Sequence, residues 1–275
     1  MNHIVQCPVC QLSLRRQENK WLCDNHHHFD IAKQGYCNLL LANQKKSLSP
    51  GDDSQMLNAR WRFLSQGHYQ PVADSICQLI TQQTDQLAHI LDIGCGEGYY
   101  LASLKHRLNS GNTVCYGTDI SKQALKLAAR HHPTIDWFVA AAKSQPFVSG
   151  QLDLILNIFA PADWQEIHRL LKPGGLVLLA VAGSNHLQNL RELIYQTVTP
   201  HQPQRFLEKV APNFELINSL ACQFNLDLTN QESIISLLQM TPYYWQADEK
   251  CRQSIENLQT LSTPVNVQLY LLKAC

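Results

Sequence analysis

Two constellations in this 275-residue chain have the residue types and spacing for chemistry, and the first is a set of metal ligands. Cys7-Pro8-Val9-Cys10 is followed, twelve residues on, by Cys23-Asp24-Asn25-His26-His27-His28. A C-x2-C pair projects two thiolates from one tight turn, and a second pair from a facing turn closes a tetrahedral zinc site. Three cysteines and one histidine suffice for it. His26, His27 and His28 are all within reach of Cys23, and the spacing of three residues that selects His27 is the preferred one. A full set of protein ligands leaves no position for water or substrate, so the predicted zinc is structural. The competing reading of Cys7 and Cys10 as a redox pair expects a strand before them and a helix opening at them, within a larger α/β unit. Between the pairs, Leu12, Leu14, Trp21 and Leu22 flank a polar tip, Arg15 to Asn19, as in a hairpin. So short a segment cannot stabilise itself by burial, and the metal supplies its folding free energy.

The second constellation is Leu91-Asp92-Ile93-Gly94-Cys95-Gly96-Glu97-Gly98-Tyr99-Tyr100, placed where a strand ends and a helix begins. Glycines there let the backbone approach a ligand at the strand's carboxyl end. A dinucleotide fingerprint puts its third glycine five residues after its first, whereas Gly94, Gly96 and Gly98 run in steps of two. Charge discriminates further. Asp92 and Glu97 would repel a pyrophosphate but suit the ammonium and sulfonium of S-adenosylmethionine. Asp119 ends the next strand, where a carboxylate accepts hydrogen bonds from both ribose hydroxyls. Asn157-Ile158-Phe159-Ala160-Pro161 follows the fourth strand, at the end of the sheet where ligands of open α/β folds bind. Phe159 is either a stacking surface for an extruded base or a core residue, and Pro161 shapes the pocket floor.

These groups need a scaffold. Strands are predicted at His89 to Ile93, Thr113 to Gly117, Ile135 to Ala140, Leu152 to Ile158 and Leu176 to Ala182, with helices at Tyr99 to Leu108, Ser121 to Arg130 and Asp163 to Leu171. Ser121 is the predicted N-cap of its helix. Strand-rich Phe214 to Leu228, helical Gln231 to Met240 and alternating Val265 to Leu272 then supply an antiparallel pair at the sheet edge. The fold class is α/β, a doubly wound, seven-stranded, mostly parallel sheet with a small N-terminal zinc ribbon. The division is 1–40 for the ribbon, 41–70 for a linker and helix, and 71–275 for the cofactor domain. With the Lys172-Pro173-Gly174-Gly175 turn before strand five, this domain resembles the class I S-adenosylmethionine-dependent methyltransferases.

Composition sets the outer bounds. Hydrophobic residues at 45% and charged residues at 16% are ordinary for a folded chain and exclude a mostly disordered one. The 22 basic residues balance 22 acidic ones, so any nucleic-acid contact needs a local patch. Ten cysteines, mostly inside apolar patterns, do not read as a secreted disulfide framework. The longest apolar run, Gly174 to Gly183, is half of what a membrane span needs, and no signal peptide is evident, so a cytoplasmic location without membrane contact is expected.

The whole chain resembles the 23S ribosomal RNA guanine-N1 methyltransferases. The resemblance runs through Cys7-Pro8-Val9-Cys10, His27 to Tyr36, Asn38-Leu39-Leu40, Pro50-Gly51-Asp52, Ala59-Arg60, Gly67 to Pro71, the glycine loop and Leu237 to Pro242. It implies methylation of a guanine in a 23S rRNA hairpin, with the ribbon helping to hold RNA, and a homodimer. It also implies Cys7, Cys10, Cys23 and His27 as zinc ligands, and a cofactor pocket taking Tyr69, Tyr100, Leu101 and His186 besides Asp92, Gly94, Gly96, Glu97, Gly98, Asp119 and Asn157. Leu101 departs from the polar residue expected beside Tyr100. For the proton on guanine N1, His68, Glu97 and solvent are the candidate acceptors. Lys45, Lys46, Arg60 and Arg62 flank the linker and Arg15, Arg16 and Lys20 lie on the ribbon tip, so one basic RNA-binding cleft is the expectation. A small-molecule methyltransferase and a non-catalytic zinc-ribbon RNA-binding protein are the rival readings.

Overall fold

The computed structural model describes residues 4–44, 53–84, 86–108, 111–208, 210 and 212–275. Lys45, Lys46 and Pro50-Gly51-Asp52 lie outside them. The first described residues form a small antiparallel sheet of β1 (Arg15–Gln17), β2 (Lys20–Leu22) and β3 (His28–Asp30). The chain then adds β4 (Tyr36–Asn38), which pairs parallel with a distant strand, Tyr36 opposite Trp137. Helix α1 (Ser54–Ser65) starts at Asp53, whose side chain accepts from the Met56 N–H, and α2 (Gln70–Gln83) carries Pro71 in its first turn.

The alternating segment is β5 (His89–Ile93), α3 (Tyr99–Leu108), β6 (Val114–Asp119), α4 (Lys122–His131), β7 (Asp136–Val139), β8 (Leu152–Ile158), α5 (Trp164–Leu170) and β9 (Leu171–Ala182). Short helices α6 (Gln188–Glu192) and α7 (Gln204–Glu208) lead to β10 (Phe214–Leu228). Helices α8 (Gln231–Gln239), α9 (Tyr243–Gln246) and α10 (Glu249–Glu256) precede β11 (Leu261–Ala274). Sheet order is β10-β11-β9-β8-β5-β6-β7-β4, with β11 antiparallel to both neighbours. Among the described residues the sheet therefore has eight strands where seven were expected, because β4 is donated by the segment that follows the ribbon. Ser121 caps α4 as expected, its Oγ accepting from the Ala124 N–H. The Lys172-to-Gly175 turn lies inside β9 as a bulge: the partner of Leu152 is Leu171, but that of Leu154 is Leu176.

Strand periodicity sends alternate residues to two cores. Ile90, Leu154 and Leu156 pack with Ile76, Leu101, Leu125 and Leu237 from α2, α3, α4 and α8. On the opposite face Leu91, Ile93, Ile155 and Phe138 pack with α5 and with the ribbon, through Ile4, Val5, Leu14 and Trp21. The Trp21 ring meets Phe138 edge-on at 5.2 Å, and main-chain bonds from Gln6 N–H to Pro146 O and from Val148 N–H to Ile4 O fasten the contact. The ribbon thus serves as part of the second layer covering the sheet, beside the cofactor end of β7. No helix among the described residues is long and apolar enough to cross a membrane.

Candidate active site and zinc centre

Two knuckles build the zinc centre. In the first, the Gln11 N–H donates to Cys7 O and Gln11 adopts φ 61°; in the second, the His26 N–H donates to Cys23 O with His26 at φ 59°. The left-handed residue closes each turn, which commits His26 to the bend and sends His28 into β3. His27 is the ring that faces inward: its Nδ1 lies 3.6 Å from Cys7 Sγ and 3.5 Å from Cys23 Sγ, while Cys10 Sγ is 3.6 Å from Cys23 Sγ. All the ligand atoms of Cys7, Cys10, Cys23 and His27 fall within 4.8 Å of one another. A tetrahedron with zinc–sulfur bonds of about 2.3 Å has edges of about 3.8 Å, so the donor set fits this metal.

The cofactor end is assembled from strand termini. Gly94 and Cys95 N–H groups donate to Thr118 O at 2.8 and 3.0 Å, which hangs the glycine loop on the end of β6. The Asp119 carboxylate finishes the task. Its Oδ2 accepts from the Gly96 N–H at 3.0 Å and its Oδ1 from the Ser121 N–H at 2.8 Å. Gly96 has φ 55°, and among the described residues a Cβ built there would meet within 4 Å only Arg60 Nη1, at 3.6 Å. Glycine at 96 thus lets the backbone come close to a ligand, which is the use glycine has in such a loop.

Burial and like charge shape the site's electrostatics. Asp92 is buried beneath the loop and its Oδ1 has no hydrogen-bond partner. Burial, then the charges of Asp119 and Glu97, push its carboxyl well above the usual carboxylate range. A bound cation reverses that, since an ammonium close to Asp92 favours the ionised form. Asn157, wholly buried at the end of β8, donates Nδ2 to Pro161 O at 3.3 Å and to Ile93 O at 3.5 Å, leaving its Oδ1 without a partner. Buried acceptors without donors call for a ligand that brings donors. S-Adenosylmethionine and an amino-bearing base are such ligands, so the residues present fit the cofactor.

Tyr69, His186 and Phe159 form the adjoining wall. Tyr69, which precedes α2, is buried between Phe63 and Phe224, with its hydroxyl 3.4 Å from His186 Nε2. His186 Nδ1 accepts from the Asn266 N–H at 3.2 Å, which leaves the proton on Nε2. Burial first, then the charge of His201, lowers His186 to a pKa of about 3, so the ring is a neutral N–H donor. Phe159 is not core: it is 45% exposed, at φ 52°, with its ring stacked on His186 at 6.0 Å and 28°. Ala160 next to it sits against Gly94, so this wall and the glycine loop are continuous.

Other residues singled out from the sequence fall elsewhere. Leu101 is wholly buried in the core under α3, where its side chain serves packing. Tyr100 borders the site, its phenol pushed well up by burial first and then by the charges of Tyr69 and Glu97. His68 is held by Gln66 and Ser233 at 3.0 and 3.3 Å. Of the residues expected to form a basic cleft, Lys45 and Lys46 lie outside the described ones. Arg15 pairs with Asp24 at 2.6 Å, Arg16 with Asp136 at 2.9 Å, and Arg60 turns inward while Arg62 stays exposed. Sequence reasoning missed the inward turn of Arg60 and the His186–Asn266 bond, although helical geometry signals the first, because residues two apart on a helix face opposite sides.

Comparison with known proteins adds the kinship. The zinc-ribbon family described as RlmA, N-terminal, matches residues 5–48, and the methyltransferase domain family matches residues 90–175. The 23S rRNA (guanine(748)-N(1))-methyltransferase of Streptomyces fradiae is 32% identical over 89% of this chain and 86% of its own. The chain belongs to the 23S rRNA (guanine-N1)-methyltransferase family. YxjB of Bacillus subtilis (strain 168) is 29% identical over 97% of this chain and 95% of its own. A malonyl-[acyl-carrier protein] O-methyltransferase of Hahella chejuensis is 28% identical but covers only 53% of this chain and 54% of its own. The enzyme is accordingly an S-adenosylmethionine-dependent methyltransferase with a structural zinc ribbon.

Proposed function

We propose that the enzyme transfers a methyl group from S-adenosylmethionine to N1 of a guanine in a 23S rRNA hairpin, as a cytoplasmic protein acting on RNA. The observation that carries this reading is the union, in one chain, of the ribbon and the glycine-loop site, aligned over almost its whole length with a guanine-N1 enzyme. The rival small-molecule reading leaves the ribbon and its docking on the sheet without a use.

In this reading Cys7, Cys10, Cys23 and His27 hold zinc, and Asp92, Gly94, Gly96, Glu97, Gly98, Asp119, Tyr69, Tyr100 and His186 line the cofactor. Bound S-adenosylmethionine supplies the electrophilic sulfonium methyl. The protein's own part is to hold the base. A guanine drawn out of its helix stacks on the exposed face of Phe159, which the His186 ring supports from behind. Asn157 Oδ1, the buried acceptor, takes an N–H from the Watson–Crick edge, and edge-on approach sets N1 about 3–3.5 Å from the methyl carbon. His186 is not the proton acceptor, because its one lone pair already receives the Asn266 N–H; the N1 proton passes to solvent as the N1–carbon bond forms and the carbon–sulfur bond breaks.

Transfer of label from the methyl-tritiated cofactor to protein-free 23S transcript, with a reverse-transcription stop at one guanine, is the expected result. Label in a metabolite extract and none in the transcript would replace this reading with the small-molecule one. Light scattering of the purified enzyme tests the homodimer that the family resemblance implies: twice the chain mass would support it, and the mass of one chain would remove it. Phe159→Ala is expected to lower kcat on the transcript by roughly 10- to 100-fold, the range for one base–aromatic stack, while leaving cofactor affinity within twofold. Phe159→Tyr keeps the stack and should retain most of the rate. Equal activity of the Ala variant and the parent would remove Phe159 from the base pocket.

A further inference from the structure

S-Adenosylmethionine brings one group that the acidic lining of the site cannot receive, the carboxylate of its methionyl end. Asp92, Glu97 and Asp119 all suit cations or hydroxyls, whereas the open side of the glycine loop is faced by a cation, Arg60. Its Nη1 stands 3.6 Å from the point where a Gly96 side chain would begin, over the surface that the ligand covers. Its Nη2 donates to Met240 O at 3.3 Å, at the C-terminal cap of α8. The guanidinium is also close enough to Tyr100 to oppose the upward shift of that phenol, which burial dominates.

We propose that Arg60 binds the methionyl carboxylate of the cofactor, with α1 acting as the cover of the cofactor site and the Met240 carbonyl orienting the fork. The geometry has a physical logic. A guanidinium presents five donors in a plane, so the bond from Nη2 to a main-chain carbonyl is compatible with a second acceptor, and the methionyl carboxylate would compete for those donors with the contacts that Arg60 already makes. The anchor at Met240 fixes the side chain before the ligand arrives, which lessens the rotamer entropy lost on binding. It also gives the segment Leu237 to Pro242 and the pair Ala59-Arg60, 180 residues apart, a common purpose at the cofactor. An ammonium near Asp92 and a carboxylate at Arg60 would then read both charges of the amino-acid end, and a ligand lacking either would be discriminated against.

This inference rests on the cofactor lying over the glycine loop, and calorimetry with two ligands separates the two claims. S-Adenosylhomocysteine carries the amino-acid end, whereas 5′-methylthioadenosine lacks it and keeps the nucleoside. For the zinc-loaded full chain, Arg60→Gln is expected to weaken S-adenosylhomocysteine roughly 10- to 100-fold, as loss of a charge-assisted hydrogen-bond pair does, and to change methylthioadenosine by less than twofold. Arg60→Lys, which keeps the charge but not the fork, should fall between. A like loss for both ligands would make Arg60 a prop of the loop and overturn the proposal, as would no loss for either. The unaltered enzyme gives a test that needs no variant. Decarboxylated S-adenosylmethionine should bind roughly 10- to 100-fold more weakly than the parent, and equal affinity would overturn the proposal. Failure of the unaltered enzyme to bind S-adenosylhomocysteine at all would instead defeat the placement of the cofactor, and with it this inference.

Discussion

Cys10→Ser is expected to abolish zinc binding and unfold the ribbon while sparing the cofactor site. Cys10 is the partly exposed cysteine of the set, with Cys7 and Cys23 buried, so exchanging its sulfur for oxygen disturbs packing least and isolates the contribution of the metal. That contribution is large. Structural zinc in small modules carries an apparent binding free energy of about 10–16 kcal/mol, which is folding free energy when no site exists in the unfolded state. Against it, β1, β2 and β3 are three residues each, too short to stand as an isolated sheet. What remains without metal is the apolar contact of Ile4, Val5, Leu14 and Trp21 with the sheet, the main-chain bonds of Ile4 and Gln6, and the Arg16–Asp136 pair. Zinc content measured by mass spectrometry of the native chain should fall from one to zero. Amide exchange across residues 4–30 should rise to the rate of unfolded chain, most tellingly at Trp21, whose strand pairs with Phe29. S-Adenosylhomocysteine affinity should fall by no more than a few fold, since the loop hangs on β5 and β6. Methylation of 23S transcript should be lost. A variant that sheds zinc but keeps slow exchange at Trp21 would show that sheet contact alone folds the ribbon, and would refute a folding role for the metal.

How much of this was legible beforehand depends on the length of the signal. His89 to Ile93, Leu152 to Ile158, Tyr99 to Leu108 and Phe214 to Leu228 fall on the expected bounds because each carries several turns or alternations of pattern. Tyr36–Asn38 was missed because three residues cannot display a period, and its partner Trp137 is a hundred residues away. The cofactor loop was legible because its chemistry is local: glycines, flanking acids and a strand-end Asp119. The wall proposed to receive the base was not, since His186 depends on Asn266 for its tautomer and on Phe159 for its stacking partner, contacts that exist only after β8, β9 and β11 have paired. Arg60 and Arg62 illustrate the remaining kind of miss. As a sequence they are one basic pair, but two residues on a helix are separated by about 200° of rotation, so only one of them can face solvent when the other faces the loop.

Asp119 carries the second large expectation, and in an order that intuition about conservative substitution would reverse. Both of its oxygens already accept main-chain N–H donors, Gly96 on one side and Ser121 on the other. A ribose diol would use the second lone pairs of those oxygens. Asp119→Asn matches the shape but replaces one oxygen with an amide NH2, which must face either the Gly96 or the Ser121 N–H. Donor then meets donor, and either the loop loses its hold on β6 or α4 loses the turn that leads into its cap. Asp119→Ala forfeits the acceptors but introduces no opposing donor, and water can reach the vacated N–H groups. Leaving a buried donor unsatisfied costs about 1–3 kcal/mol beyond the lost bond. Affinity for S-adenosylhomocysteine is therefore expected to be highest with the native Asp119, lower for the Ala variant and lowest, or equal to Ala, for the Asn variant, with a total loss of about 100-fold or more for Asn. Calorimetry reads the ranking directly. A 2′,3′-dideoxy analogue of the ligand completes the cycle: it should bind the parent enzyme far more weakly than the diol does, and the Asn variant should barely distinguish the two. If the Asp119→Asn enzyme retained the affinity of the parent within threefold, neither the loop nor the ribose would depend on the carboxylate; if it bound more weakly but still favoured the diol as strongly, the carboxylate would be a strut of the loop and the ribose would have to be held by other groups.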